Sequence, residues 1–264
     1  MIKVISKNIF RKIFNRFGYE ILEQKKVPFK INDDDVNNII EDYLVKTRKI
    51  FPNSNINTKH INTIYASKYI LENNISGDFV ECGVFRGFNV ALMILAIKYF
   101  GNESDYNRKI YLYDTFIGMT NPTKYDYKKN RLSYQENIER QEKFQKKDLN
   151  LRCYYPIDGV KEYLDMFDYK NLVYIKGDVM DTIPNNHHDQ GKISFLRLDT
   201  DFYLSTKHEL EHLYDLVNSG GVIISDDYNT WEGAKKACDE FFDKNKYKPL
   251  YIYTPNSDYV WIKF

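Results

Sequence analysis

The 264-residue chain is predicted to be an α/β protein built on a doubly wound, mostly parallel sheet. Three observations carry this. Short apolar runs alternate with amphipathic, helix-spaced stretches from about residue 76 onward. The apolar runs end one after another in acids: Glu81, Asp114, Asp178, Asp199 with Asp201, and Asp226 with Asp227. The last two runs follow each other with no helical pattern between them, which predicts an antiparallel pair at one edge.

In chain order, residues 1–75 form a helical extension and residues 76–264 the sheet domain. Residues 1–26 set Ile2, Ile5, Ile9, Ile13 and Phe17 near helical spacing among Lys3, Lys7, Arg11, Lys12 and Arg16. No continuous apolar core or small-residue cleavage site is present, so this is not a signal peptide. The helix is expected on its own domain or a second subunit, which favours a homo-oligomer; the other reading is contact with anionic lipid at a membrane surface. Helices follow at 34–50, capped by the Asn32–Asp33 region, and at 57–74. Strands are expected at 77–83, 108–116, 171–178, 192–199, 220–227, 248–254 and 257–264. Helices are expected at 88–101, 205–221 and 230–245. The stretch 117–160 is polar and long, with helical periodicity over 134–147; beside strand ends such an insertion reads as a lid.

Composition narrows the function. Lys+Arg is 38 against Asp+Glu 37, which gives no case for nucleic acid. Cys82, Cys153 and Cys238 are odd in number and far apart, which argues against a disulfide framework and a zinc site and for a cytoplasmic protein. The longest apolar run, Val90–Ile97, is too short to span a bilayer.

In an open parallel sheet, ligands bind beyond the carboxyl ends of the strands. A single acid there is most simply a turn or cap residue; five strand ends in a row weaken that explanation. The first turn, "ECGVFRG", is G-x-x-x-G and lacks the middle glycine that admits a pyrophosphate. Glu81 before it is placed to accept from an ammonium group, and Asp114 to bind two ribose hydroxyls. Acids in both places, with no phosphate cradle, suit a positively charged nucleoside such as S-adenosylmethionine. Asp199, Asp226 and Asp227 are a separate set. Three carboxylates at adjacent strand ends repel unless neutralised, and an oxygen-rich site suits magnesium.

"GDFVECGVFRG", "YLYDTFIGM", "IKGDVMDTIP", "LRLDTDFYLST" and "GGVIISDDY" together resemble the macrocin O-methyltransferase family over about residues 77–242. The two acidic motifs, 27 residues apart from Asp199 to Asp226, are the most specific part. The resemblance implies a class I methyltransferase (Rossmann-like) fold. It also implies magnesium held by Asp199, Asp226 and Asp227, with Asp201 beside it, and S-adenosylmethionine held by Glu81, Gly83, Asp114 and Asp178. Arg86, Asn89 and Thr115, from the same two turns, complete the expected cofactor set. Phe88–Asn89 stand where the family has a small residue followed by a serine-like one.

The expected reaction is methylation of a sugar hydroxyl, free or nucleotide-linked, in bacterial surface-polysaccharide or glycoside biosynthesis. Such a hydroxyl holds its proton at neutral pH, and a lone carboxylate of ordinary pKa about 4 is a weak base for it. Magnesium lowers the hydroxyl pKa and a nearby carboxylate takes the proton. Asp201 is the first candidate for that base, a metal-bound role for it is the second reading, and Asp199 counts with it as catalytic. His187 and His188 read as a polar loop. Two alternatives stay open: a catechol-type enzyme acting on an aromatic diol, and a methyltransferase-fold partner without activity.

Overall fold

The computed structural model describes residues 31–127, 152–185, 192–246 and 258–264, with Glu136, Glu139, Pro249, Ile252 and Tyr253 besides. The expected helix at 1–26, His187–His188 and half of the 117–160 insertion lie outside the described residues; Glu136 and Glu139 within it are helical.

Asp33–Phe264 form one compact unit, so the two helices ahead of the first strand belong to the same packed body as the sheet. Helix α1, Asp34–Thr47, begins where the Asp33 side chain accepts from the Val36 N–H, with Asp34 and Asp35 in its first turn. Helix α2, Thr58–Glu72, has a capping box: Asn57 accepts from His60 N–H, and the His60 ring accepts from Asn57 N–H. Helix α3, Phe88–Phe100, is buried without a break from Val90 to Ile97, which is why it has almost no polar face.

The strands are β1 (Asp78–Cys82), β2 (Ile110–Asp114), β3 (Leu172–Lys176), β4 (Ile193–Leu198), β5 (Val217–Ser225), β6 (Ile252–Tyr253) and β7 (Tyr259–Ile262). They form one sheet in the order β3-β2-β1-β4-β5-β7-β6. The first five are parallel, and β7 runs antiparallel to β5 and to β6. The reversal of order falls between β1 and β4, where a doubly wound sheet opens its ligand crevice.

Helices α4 (Ile157–Asp165), α5 (Val179–Asn185), α6 (Tyr203–Leu213) and α7 (Glu232–Asn245) complete the unit. On one face Val80, Leu196, Leu198 and Ile223 pack with Ile183, Leu210, Cys238 and Phe242 from α5, α6 and α7. On the other, Phe88 meets Tyr43 of α1 and Tyr163 of α4 edge to face, and Thr47 bonds the Tyr163 hydroxyl at 2.7 Å.

Two elements differ from expectation. The helix expected over 205–221 stops at Leu213, and β5 begins at Val217, pairing with Ile193. "VNSGG" continues the strand because β4 offers a ladder beside it and a register shift near Ile193 absorbs the extra residues. Helix α5 was hidden by its shortness and by Pro184 within it. No described helix is long and apolar enough to cross a membrane, and Cys82, Cys153 and Cys238 form no disulfide.

Candidate active site

The acids line up because the parallel ladder runs one residue past each strand. Gly83 N–H donates to Tyr113 O at 2.8 Å, Gly177 N–H to Asp114 O at 3.0 Å, Asp199 N–H to Cys82 O at 2.8 Å and Asp226 N–H to Leu198 O at 2.9 Å. Each strand-end turn is thereby tied to its neighbour, and the side chains that follow share one rim. Gly83 permits the closest approach. A Cβ there would stand 2.1 Å from the Asp199 carbonyl oxygen, and its φ of +85° is one that side chains rarely adopt. Asp201 takes up a left-handed backbone at φ 66° without being glycine, a conformation that aspartate adopts more readily than most side chains.

A cleft opens on this rim between the turns. Gly83, Asp114, Thr115, Asp178, Asp199 and Asp201 all line it, with Phe85, Met119, Val179 and Thr200. Six of the expected site residues therefore converge. Acids among apolar walls suit a cationic, hydroxyl-bearing nucleoside, so the residues present fit S-adenosylmethionine.

Asp114 differs in detail. Its Oδ2 accepts from the Val84 and Phe85 N–H groups, each at 2.8 Å, and its Oδ1 from Phe116 N–H at 2.7 Å. A carboxylate has about four acceptor positions. Three go to the chain itself, which leaves room for one ribose hydroxyl where two were expected. Asp114→Ala is expected to weaken S-adenosylmethionine binding by about 1.5–3 kcal/mol and, unlike a purely ligand-binding residue, to lower the melting temperature of the free protein. Titration calorimetry and a melt of the same sample check both; unchanged affinity removes Asp114 from the site. Thr115 also works locally, donating to Gly118 O at 2.6 Å. Asp178 starts α5 by accepting from Met180 N–H at 2.9 Å, so cap and cleft roles coexist.

Three residues expected at the cofactor are not part of this cleft's lining. Arg86 is enclosed by aromatic rings, its guanidinium 5.1 Å from the Phe51 centroid and 4.9 Å from that of Phe85. Glu81 and Asn89 do not line the cleft. Glu81 is buried beside Arg197, its neighbour in the sheet register, with Oε1 3.3 Å from Arg197 Nε. Asn89 bonds Thr63 at 3.1 Å, and with its amide oxygen turned to Arg197 it accepts from Nε and Nη2 at 3.1 and 2.9 Å.

Asp199, Asp226 and Asp227 each place a carboxylate oxygen within 4.8 Å of the others. Two cations face them. Arg197, 1% exposed, bonds Asp226 and stands 3.2 Å from Asp199. Lys59 of α2 bonds Asp226 and stands 3.5 Å from Asp227. Burial pulls the pKa of Lys59 down, and the charges of Asp227, Asp226 and Asp199 outweigh it and raise it. Burial followed by the Asp226 charge pushes Asp199 up; burial followed by the adjoining Asp227 does the same to Asp201. Three backbone-anchored carboxylates that can share one ion fit a hard divalent cation such as magnesium.

Sequence reasoning missed the supports. Lys59, Asn62 and Thr63 lie on one face of α2, and Asn62 donates to Asp258 at 2.7 Å. Asp126, at the front of the insertion, accepts from Tyr203 N–H at 2.7 Å and so caps α6 from a distance. Glu209 of α6 accepts from Thr200 Oγ1 at 2.9 Å beneath the cleft, and burial raises its pKa to about 8. An acid whose pKa is raised on folding stabilises the fold fully below its ordinary value near 4.5, and this contribution is lost as pH rises through about 8. Glu209→Gln keeps a group that can meet Thr200 and does not titrate. Its melting temperature is expected to match the wild type near pH 5 and to exceed it near pH 8.5; a constant offset at both would remove Glu209 as a source of pH dependence.

The macrocin O-methyltransferase family profile matches residues 54–253. The chain is 26% identical over 169 residues to the 8-demethyl-8-(2,3-dimethoxy-alpha-L-rhamnosyl)-tetracenomycin-C 4'-O-methyltransferase of Streptomyces olivaceus, covering 63% of this chain and 59% of that protein. It is 29% identical over 174 residues to the demethyldecarbamoylnovobiocin O-methyltransferase of Streptomyces niveus, covering 65% of this chain and 60% of the relative. The chain thus spans about three fifths of the length of these relatives. Among solved structures, the O-methyltransferase NovP superposes with a TM-score of 0.63 at 24% identity, over 78% of this chain and 79% of that one. The calicheamicin methyltransferase CalS11 gives 0.59 at 18% identity, over 84% and 91%. The fold is that of the class I O-methyltransferases. With three quarters of its length under the family profile and the two acidic motifs meeting at one rim, the chain belongs to the macrocin O-methyltransferase family.

Proposed function

We propose that the protein transfers the methyl group of S-adenosylmethionine to a sugar hydroxyl, assisted by a divalent cation. The observation that carries this is the junction of two sets of residues. Asp199 belongs both to the acid triad and to the cleft wall, so an ion on the triad would face a ligand in the cleft.

Asp199, Asp226 and Asp227 would hold the ion. Gly83, Asp114 and Asp178 would hold the cofactor, and Asp114 would also keep the first turn in shape. When bound, the ion lowers the pKa of an acceptor hydroxyl and fixes its place, while the cofactor supplies the methyl group. Asp201 stands against Asp227, outside the triad and on the cleft wall. Asp201 would accept the hydroxyl proton, the bound cofactor supplying the methyl group to that oxygen and leaving as a neutral thioether. Phe85, Met119 and Val179 exclude water from one wall.

A sugar acceptor is supported by the rhamnosyl compound in the name of the tetracenomycin relative. The acceptor we infer is a glycoside or a precursor of surface polysaccharide. The test is a panel of nucleotide-linked sugars, free glycosides and catechols with S-adenosylmethionine and magnesium, read by mass spectrometry. Methylation of a sugar supports the reading; methylation of catechols alone selects the aromatic-diol enzyme; no product from any acceptor, with no cofactor binding, selects a partner without activity.

A further inference from the structure

We propose that Lys59 is a resident counter-cation of the acid triad, and that a divalent metal binds by displacing its ammonium group from Asp226 and Asp227. The proposal rests on the reading of that triad as a metal site. The two cations at the triad are held in different ways. Arg197 is 1% exposed and is fixed by Glu81, Asp199 and Asp226 together, so its planar fork cannot leave without stranding the buried Glu81 and Asp226 and the half-buried Asp199. Lys59 reaches the same acids from α2, outside the sheet. Its side chain is 23% exposed, and it meets the triad through Nζ, which bonds Asp226 and stands 3.5 Å from Asp227. A single ammonium on a four-carbon stem can swing into solvent at little cost in packing.

An ion held by all three carboxylates would have to bond Asp226 and Asp227, the two that Nζ now reaches. Two like charges on the same pair of carboxylates exclude each other. With Lys59 in place, Asp199, Asp226 and Asp227 do not repel one another unchecked while the metal is absent. With metal bound, the ion takes over that function and the tie between the first turn of α2 and the end of β5 is released. Lys59 therefore opposes metal binding while stabilising the metal-free site. Loss of the ammonium leaves the acids more negative, which favours the ion and disfavours the empty fold.

The experiment is calorimetric titration of Mn2+ into the full-length protein and into Lys59→Met and Lys59→Gln, with melting curves of the metal-free samples. Both variants are expected to bind Mn2+ at least about tenfold more tightly and to melt lower without metal. Wild-type protein supplies a readout that does not depend on a variant folding. Acylation of Lys59 by an amine-reactive ester, followed by peptide mass mapping, is expected to be slow without Mn2+ and faster with it. Unchanged or weaker Mn2+ affinity in a folded variant, or acylation of Lys59 at the same rate with and without Mn2+, overturns the exchange while leaving the metal site standing. No Mn2+ binding by wild type or variant overturns the metal site and the exchange together.

Discussion

Arg197→Met is expected to destabilise the protein by about 3–5 kcal/mol, because it strands buried charge rather than merely removing a contact. Arg197 lies in the middle of β4, and Glu81, Asp199 and Asp226 converge on it from β1, from the end of β4 and from the end of β5. Without the guanidinium, Glu81 is left in a site where burial already holds its pKa at about 8. Arg197 lowers the Glu81 pKa against that burial, so the variant is expected to push it further up and to melt on the order of 10 °C lower. Arg197→Lys should recover little, since one ammonium cannot meet three acids from a single stem. Thermal denaturation decides this; a variant within about 1 kcal/mol of wild type would show that Arg197 is not the central support of the rim.

Asp226→Asn is expected to reduce metal affinity by at least about a hundredfold, more than the loss typical for a group one shell away from an ion. Asparagine keeps the shape and one oxygen, so Arg197 retains an acceptor and the fold survives. The lost charge falls on the metal and on Lys59. Turnover should therefore be absent at ordinary magnesium and partly restored at much higher concentrations. Metal titration of turnover in wild type and variant checks it; identical metal dependence would remove Asp226 from the ligand set. The same substitution should lower the melting temperature of the metal-free protein, because Lys59 and Arg197 then face a neutral amide in place of a carboxylate.

Much of this was legible in the sequence for a physical reason. Apolar runs such as Val222–Ile224 mark buried parallel strands, and in such a sheet the carboxyl ends must share a rim. The acids that end the runs therefore had to meet. What the spacing could not show was which way each side chain turns. Asp114, although it lines the cleft, points back to the amides of Val84 and Phe85, and the Arg86 guanidinium lies over the rings of Phe51 and Phe85. The charge balance was misjudged from sequence for a related reason. Three carboxylates were expected to repel until an ion arrived, but Arg197 and Lys59 already answer them. Arg197 left a signal, a lone charge inside the apolar run "ISFLRL", and a buried charge has to be paired. Lys59 left none. It lies on α2, far ahead of the acids in sequence, and only the packing of α2 beside β4 and β5 brings it to them. Glu209 likewise lies on a helix whose pattern gives no hint that its carboxyl sits under Thr200.

Methyl transfer as proposed requires the acid triad to hold an ion. The direct measurement is methyl transfer to an acceptor identified from the panel, in magnesium, after exhaustive chelation, and after magnesium is returned. Product formation should stop in the chelated sample and recover on return of the metal, with S-adenosylmethionine binding largely kept throughout because Asp114 and Asp178 do not belong to the triad. Full turnover in the chelated sample would contradict it.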